Sequence, residues 1–261
     1  MHAMNQKLLA RRVGRGFTLV EILIALTVGL FLMGALLTIV QTNRRVFGEQ
    51  NQLAQMQDNQ RMAMTMMGDV IQSAGYFPDP VHNTLTTALT ATGAFAVGQS
   101  IFGTSVAGPL DTIQVRYMTA GGDGILNCSG QSNPTGGPNT VYVNTFQVLN
   151  GKLVCTLSTV VNTVVVNTVQ YILVGGIPGS GLDITNMSIL YGVKADATQP
   201  GNNVDTYMSA TQVNGAVLWG SVISVQITLT FTNPLSASPG QPATFQIQRV
   251  IGVMSQTGPT I

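Results

Sequence analysis

Arg15-Gly16-Phe17-Thr18-Leu19-Val20-Glu21 opens an apolar run that continues almost unbroken to Val40, and Glu21 is the only charge inside it. The twenty-four residues from Phe17 to Val40 make roughly 36 Å of helix at the standard rise, enough to span a bilayer. Lys7, Arg11, Arg12 and Arg15 precede the run without an acidic residue, and only Arg44 and Arg45 follow it closely. That bias keeps the amino terminus in the cytoplasm and sends the remainder across the membrane. An ordinary secretory signal is cut behind its apolar region, after small residues. Here the candidate junction, Gly16–Phe17, lies ahead of it.

Outward from this stretch, the helix is predicted to continue. No proline occurs before Pro78. Leu53, Met56, Ala63, Met67, Val70 and Ala74 recur at three- and four-residue steps and form one apolar stripe. Gly75 offers a left-handed cap, and Pro78 and Pro80 forbid continuation. A helix from Phe17 to Ala74 would run roughly 85 Å. The methionines Met56, Met62, Met64, Met66 and Met67 suit a packed core better than a ligand box. Gly29 and Gly34 suit close helix approach or local melting as well as ordinary membrane-helix packing.

Residues 76–261 read as β-rich. Ile113–Tyr117 alternates with period two. Val143–Leu149 and Leu153–Leu157 flank Asn150-Gly151, a two-residue hairpin signal. Val164–Val166 and Val169–Val174 are further strand candidates. Val225, Ile227, Leu229 and Phe231 alternate with polar residues, and Phe245, Ile247 and Arg249–Ile251 suit a last strand. Loops rich in Gly, Pro and Asn are expected at about 119–140, 175–186, 195–204 and 233–242. The fold class is therefore α+β, a long N-terminal helix packed on an antiparallel β-sheet domain.

The string Gly16-Phe17-Thr18-Leu19-Val20-Glu21, behind a basic leader, resembles the class III signal of type IV prepilins and type II secretion pseudopilins. The resemblance implies a pilin-like fold, cleavage between Gly16 and Phe17, N-methylation of Phe17 and an assembly role for Glu21. It divides the chain into a cleaved leader (1–16), a transmembrane and filament-core helix (17–40), an amphipathic helix packing on the body (41–75) and a β-rich domain (76–261). A carboxylate inside a membrane helix costs about 2.5–3.5 kcal/mol on insertion scales and so seeks a partner. In the resembled families the partner is the mature amine of a neighbouring subunit, here that of Phe17. The alternative is a carboxylate that snorkels to the interface and favours the helix dipole.

Gln57–Ala63 through Asp69 and Ala74-Gly75-Tyr76 is similar to the helix ending of PilW-type minor pilins. Asp111–Tyr117, Asn127–Gly130, Val141–Cys155, Leu190–Val193, Asp205–Tyr207 and Trp219 with Val222–Val225 continue the resemblance in order. Arg249–Val253 departs from the closing pattern of that family, which leaves the register of the last strand open. The resemblance implies a minor pilin that primes pilus assembly near the tip and supports twitching motility, adhesion or DNA uptake. Its partners would be other minor and major pilins, a prepilin peptidase, an inner-membrane assembly platform and, before assembly, the lipid bilayer. Two other readings stay open: a J-class pseudopilin of type II secretion, and a membrane-anchored adhesin. Cys128 and Cys155 are expected to pair, since the body lies outside the cytoplasm, where disulfides persist.

Composition narrows the rest. Only 8% of residues are charged and the formal net charge is +1. Removing residues 1–16 leaves seven basic and ten acidic side chains, a charge of −3. Nothing here points to nucleic acid. With two histidines, His2 and His82, there is little scope for a histidine metal site or relay, and His82 reads as a solvated turn residue without a carboxylate motif around it. Asp196, Asn202, Asn203 and Asp205 suit Asx-type turns better than a calcium loop. Gly121-Gly122-Asp123-Gly124 reads as a loop, because no helical pattern follows to cradle a phosphate. Arg44-Arg45 mark the lipid–water border, with contact to DNA or a neighbouring pilin as the alternative. No enzyme site emerges and no cofactor is expected.

Overall fold

A computed structural model of the chain describes residues 16–105, 110–175, 183–196, 198 and 201–257. Leader residues 1–15 and parts of the loops expected at 175–186 and 195–204 lie outside the described residues. The chain divides into two units, Met1–Gln50 and Asn51–Ile261.

In the first unit, helix α1 (Leu19–Gln72) exposes its side chains to Val40 and beyond. Thr18 starts it, accepting from the Glu21 amide at 3.3 Å. Hydroxyls within an apolar helix need acceptors. Those of Thr27, Thr38 and Thr42 donate to carbonyls one turn back, Leu23 (3.1 Å), Gly34 (3.0 Å) and Thr38 (2.9 Å). The rod thereby hides its own polar hydrogens. Arg45 Nε donates to Glu49 at 2.8 Å, one turn apart.

In the second unit, α1 buries Met56, Ala63, Met64, Met67, Val70 and Ile71, so burial begins at Met56 rather than at the first residues of the amphipathic segment. Gly75 ends the helix at φ +75°, a conformation that spares glycine the steric cost. Its amide donates to the Arg116 carbonyl at 3.0 Å. The helix packs on two antiparallel sheets. The first has the order β1 (Ile101–Thr104), β2 (Thr112–Thr119), β3 (Thr140–Leu149), β4 (Lys152–Val161), β5 (Val164–Val174). The second contains β6 (Ile184–Val193), β7 (Thr206–Met208), β8 (Val222–Thr232) and β9 (Thr244–Gly252) in the order β7-β6-β8-β9. Asp111 joins them: its amide donates to Met187 O at 2.9 Å and its carboxylate accepts from the Ile189 amide at 2.8 Å.

The β3–β4 hairpin turns at Asn150 (φ 51°) and Gly151 (φ 73°), the left-handed pair its sequence predicts. The two candidates Val164–Val166 and Val169–Val174 are one continuous strand, β5, reached through a second tight turn at Asn162 (φ 49°) and Thr163 (φ 66°). The open register of the last strand is settled by pairing of Arg249 with Ile227 and Ile251 with Val225. Arg249 Nη1 also donates to Met64 O at 3.3 Å, fastening β9 to α1.

Arg116 is 1% exposed. Its Nε donates to Gln99 O (2.6 Å), Nη1 to Thr90 O (2.6 Å), and Nη2 to Ala96 O (2.6 Å) and Leu89 O (3.3 Å). The guanidinium lies 4.6 Å from the Phe95 ring centroid. Burial pulls its pKa down to about 10, so it stays charged at neutral pH. Carbonyl dipoles, not a carboxylate, balance that charge among the described residues. The result is a clamp drawing segment 89–99 onto β2.

Cys128 and Cys155 form a disulfide with Cα atoms 6.4 Å apart. It anchors the 120–139 loop to β4 between Phe146 and Tyr171. The loop has further moorings: Cys128 N donates to buried Asn144 Oδ1 at 2.9 Å, Tyr117 Oη donates to Leu126 O at 2.6 Å, and Asn133 Nδ2 donates to Pro138 O at 2.8 Å.

Two predictions follow from this core. Replacing both cysteines by serine removes roughly 3–4 kcal/mol of unfolding free energy, read as a lower denaturation midpoint, with reductant reproducing the loss in the wild type. The Tyr191 hydroxyl is fully buried and has no hydrogen-bond partner among the described residues. Tyr191→Phe keeps the ring contact with Trp219 at 5.0 Å and should leave stability unchanged or raise it by about 1 kcal/mol. Burial also holds the Tyr191 phenol above its ordinary pKa near 10. The folded state therefore keeps a proton that the unfolded chain releases, and stability is lost as pH rises beyond about 10. Denaturation of Tyr191→Phe between neutral and alkaline pH should show a shallower alkaline loss; a cost above about 2 kcal/mol at neutral pH would mean the hydroxyl is bonded.

Candidate processing and assembly site

Among the described residues, nothing lies within 4 Å of where a Cβ on Gly16 would stand. Phe17 is 78% exposed. Both precede the first turn of α1, so the Gly16–Phe17 bond lies in non-helical backbone. The bond therefore stands outside the hydrogen-bonded turns of the helix.

The four-residue step of the helix lines up Phe17, Glu21, Ala25, Gly29 and Met33 on one face. Ile22, Leu26 and Leu30 flank them to make a shallow apolar groove of about 600 Å³. Glu21 is exposed on this face and forms no ion pair among the described residues. Ala25 and Gly29 below it leave room for another backbone to approach. Among the described residues, Gly29 and Gly34 meet nothing within 4 Å, so no packing there requires either glycine. Within the described residues, α1 is also the one helix long and apolar enough to cross a membrane.

The other candidate residues are separate from this face. Cys128 and Cys155 are buried in the second unit and act structurally. His82 is exposed, as expected of a turn residue, but the expectation of no carboxylate nearby is corrected: its Nδ1 lies 2.9 Å from both carboxylate oxygens of Asp79. Asp79 has φ +58°, and that unusual backbone angle brings the two side chains together. At 196–205 the carboxylates are engaged in local turns. Asp205 accepts from the Asp196 amide at 2.9 Å, and Asp196 accepts from the Thr198 amide at 2.8 Å. No group of three metal-ligating side chains occurs among the described residues. Asp123 likewise turns its own loop, accepting from the Ala120 amide (2.9 Å) and the Ile125 amide (3.1 Å).

Arg116 and Asn144, which organise the body, escape sequence reasoning. Each sits in an alternating strand where a polar residue predicts the wet face. Their burial depends on partners far away in the chain.

Residues 11–37 match the prokaryotic N-terminal methylation motif, and residues 139–257 match the family of type IV pilus-assembly protein W (PilW). Among solved structures, a type IV-like pilin from Thermus thermophilus aligns with 11% identity over 77% of this chain and 96% of its own length, at a TM-score of 0.43. No curated protein matches significantly. Pilins are structural subunits rather than enzymes. The methylation motif meets the apolar helix at the amino terminus, and residues 139–257 carry the second match; together the two matches support a type IV pilin of the PilW type.

Proposed function

We propose that this chain is a minor subunit of a type IV pilus that enters the filament through α1 and helps to prime assembly, near the tip. The observation that carries the reading is Glu21, the single charge of an exposed apolar helix, with no ion-pair partner in its own chain among the described residues. Residues 1–16 are the leader, and a prepilin peptidase cuts between Gly16 and Phe17 and methylates Phe17. Before assembly, residues 17–40 lie in the bacterial inner membrane and the body lies in the periplasm.

The physical step is an exchange of environments. In lipid, Glu21 is costly and only partly relieved by snorkelling. Next to another subunit, its carboxylate meets the N-terminal ammonium of a neighbour's first residue. The two charges neutralise one another, and their geometry sets the axial register between helices. Extraction from the membrane is then favoured only with a partner in place, which couples exit to assembly. In this scheme the assembly platform drives the exit and other pilins supply the partners, while twitching motility, adhesion or DNA uptake are outputs of the finished filament.

The test is a clean deletion scored for surface pili and twitching, complemented with wild type and with Glu21→Ala. The deletion should show few pili, wild type should restore them, and Glu21→Ala should restore them incompletely although its body folds. Normal piliation of the deletion strain would refute a priming role, and full rescue by Glu21→Ala would refute the carboxylate's part in it.

A further inference from the structure

We infer that a niche on the outer face of the first sheet is a binding site for an acidic sugar residue, a small ring bearing hydroxyls and one carboxylate. Strand pairing builds its floor. Met118 lies opposite Val141, Val141 opposite Val160, and Arg116 opposite Val143. Cross-strand partners share one side of a sheet, and side chains alternate along each strand. These side chains therefore face away from the core, to which the intervening Tyr117 and Tyr142 belong. Residues 83–92 overlie that face, drawn down where Arg116 takes the carbonyls of Leu89 and Thr90. The cavity left between them and the β4–β5 turn measures about 240 Å³. Sites for drug-sized ligands begin at roughly 300 Å³, so this one suits a single ring.

The lining selects the occupant. The valines and Met118 offer an apolar floor to the C–H face of a ring. Asn83, Asn139 and Asn162 stand around it, and their carboxamides bond to no other group among the described residues. Each carries both donors and an acceptor, which is what neighbouring hydroxyls require. Asn162 and Thr163 hold their part of the rim at φ 49° and 66°. Glycine would adopt those angles at no steric cost, whereas a β-branched residue there is an outlier. Strain of that kind gathers at ligand sites.

Arg116 supplies the sign. Among the described residues it is the one charged side chain of the lining. Its carbonyl bonds use one hydrogen of Nε, one of Nη1 and two of Nη2, which leaves one Nη1 hydrogen uncommitted. Carbonyl dipoles stabilise the cation without cancelling it, and its remaining field is strong in a poorly hydrated setting. That field favours an anion and disfavours a cation. No residue of α1 lines the niche, so the site is independent of the helix-borne assembly step.

The test is ligand-observed saturation-transfer NMR on full-length protein in detergent micelles, with sodium glucuronate as the probe. Glucuronate should bind. Glucose, which lacks the carboxylate, and acetate, which lacks the ring, should each bind about tenfold more weakly or worse. Asn162→Gly keeps the left-handed turn but removes a rim amide, and should weaken glucuronate about tenfold. Asn139→Asp sets a like charge at the rim and should weaken it by a similar factor, while Glu21→Ala should bind as the wild type does. Methyl glucuronide separates two sources of the same chemistry. Equal binding assigns the ligand to the end of a glycan chain, and binding of the free acid alone assigns a free sugar. The inference is overturned if glucuronate does not bind the wild type, if glucose or acetate binds as well, if either rim variant binds like the wild type, or if Glu21→Ala weakens binding.

Discussion

A carboxylate placed four residues into an otherwise apolar helix is the constraint on which the account of this protein depends. Between Phe17 and Val40 every other feature lessens polarity. The threonine hydroxyls bond back to their own helix, and charges do not reappear until Arg44. Against that background Glu21 is an exception that its own chain does not satisfy among the described residues. A group left unpaired in a low-dielectric setting is a binding demand, and its natural answer is a cation on another subunit. In the proposed scheme, cleavage of the leader would give Phe17 such a cation at the amino-terminal end of the helix.

The second unit solves an unrelated problem. Its sheets carry few charges, and a set of specific ties adds to the core that they share with the end of α1. A disulfide and the amide of Asn144 hold the 120–139 loop, Arg116 gathers four carbonyls, and Arg249 and Ser255 join the carboxy-terminal end to α1. Each tie connects segments remote in sequence. A bonded sulfur pair of this kind persists in oxidising surroundings, and a scarcity of surface charge leaves few ion pairs to lose in salt.

Features governed by neighbours in sequence were legible. The apolar run, the stripe from Met56 onward, the glycine cap at Gly75 and the Asn150-Gly151 turn each carry a local physical rule, and α1, β3, β4 and β8 appear where those rules put them. The elements that escaped have weaker local signals. Asn162-Thr163 turns without a glycine, with Thr163 held at positive φ by the strands it joins. β6 contains Gly192 and two register shifts against β8, which blur its alternation. Helices α2 (Leu85–Ala88) and α3 (Ala210–Ala216) are too short for a periodic pattern, although the Ser209…Gln212 spacing is a capping-box signal that could have marked α3. At the candidate site, Gly16, Phe17 and Glu21 stand out in the sequence because they interrupt composition abruptly. The Asp79–His82 contact was not, because a single left-handed aspartate creates it.

The most direct measurement is the mass and N-terminal sequence of the protein purified from its native membrane or filament. The account predicts a chain that begins at Phe17, heavier by one CH2 than the unmethylated fragment and lighter by two hydrogens than the reduced one. A chain that begins at Met1, or one that begins beyond residue 40, would contradict it.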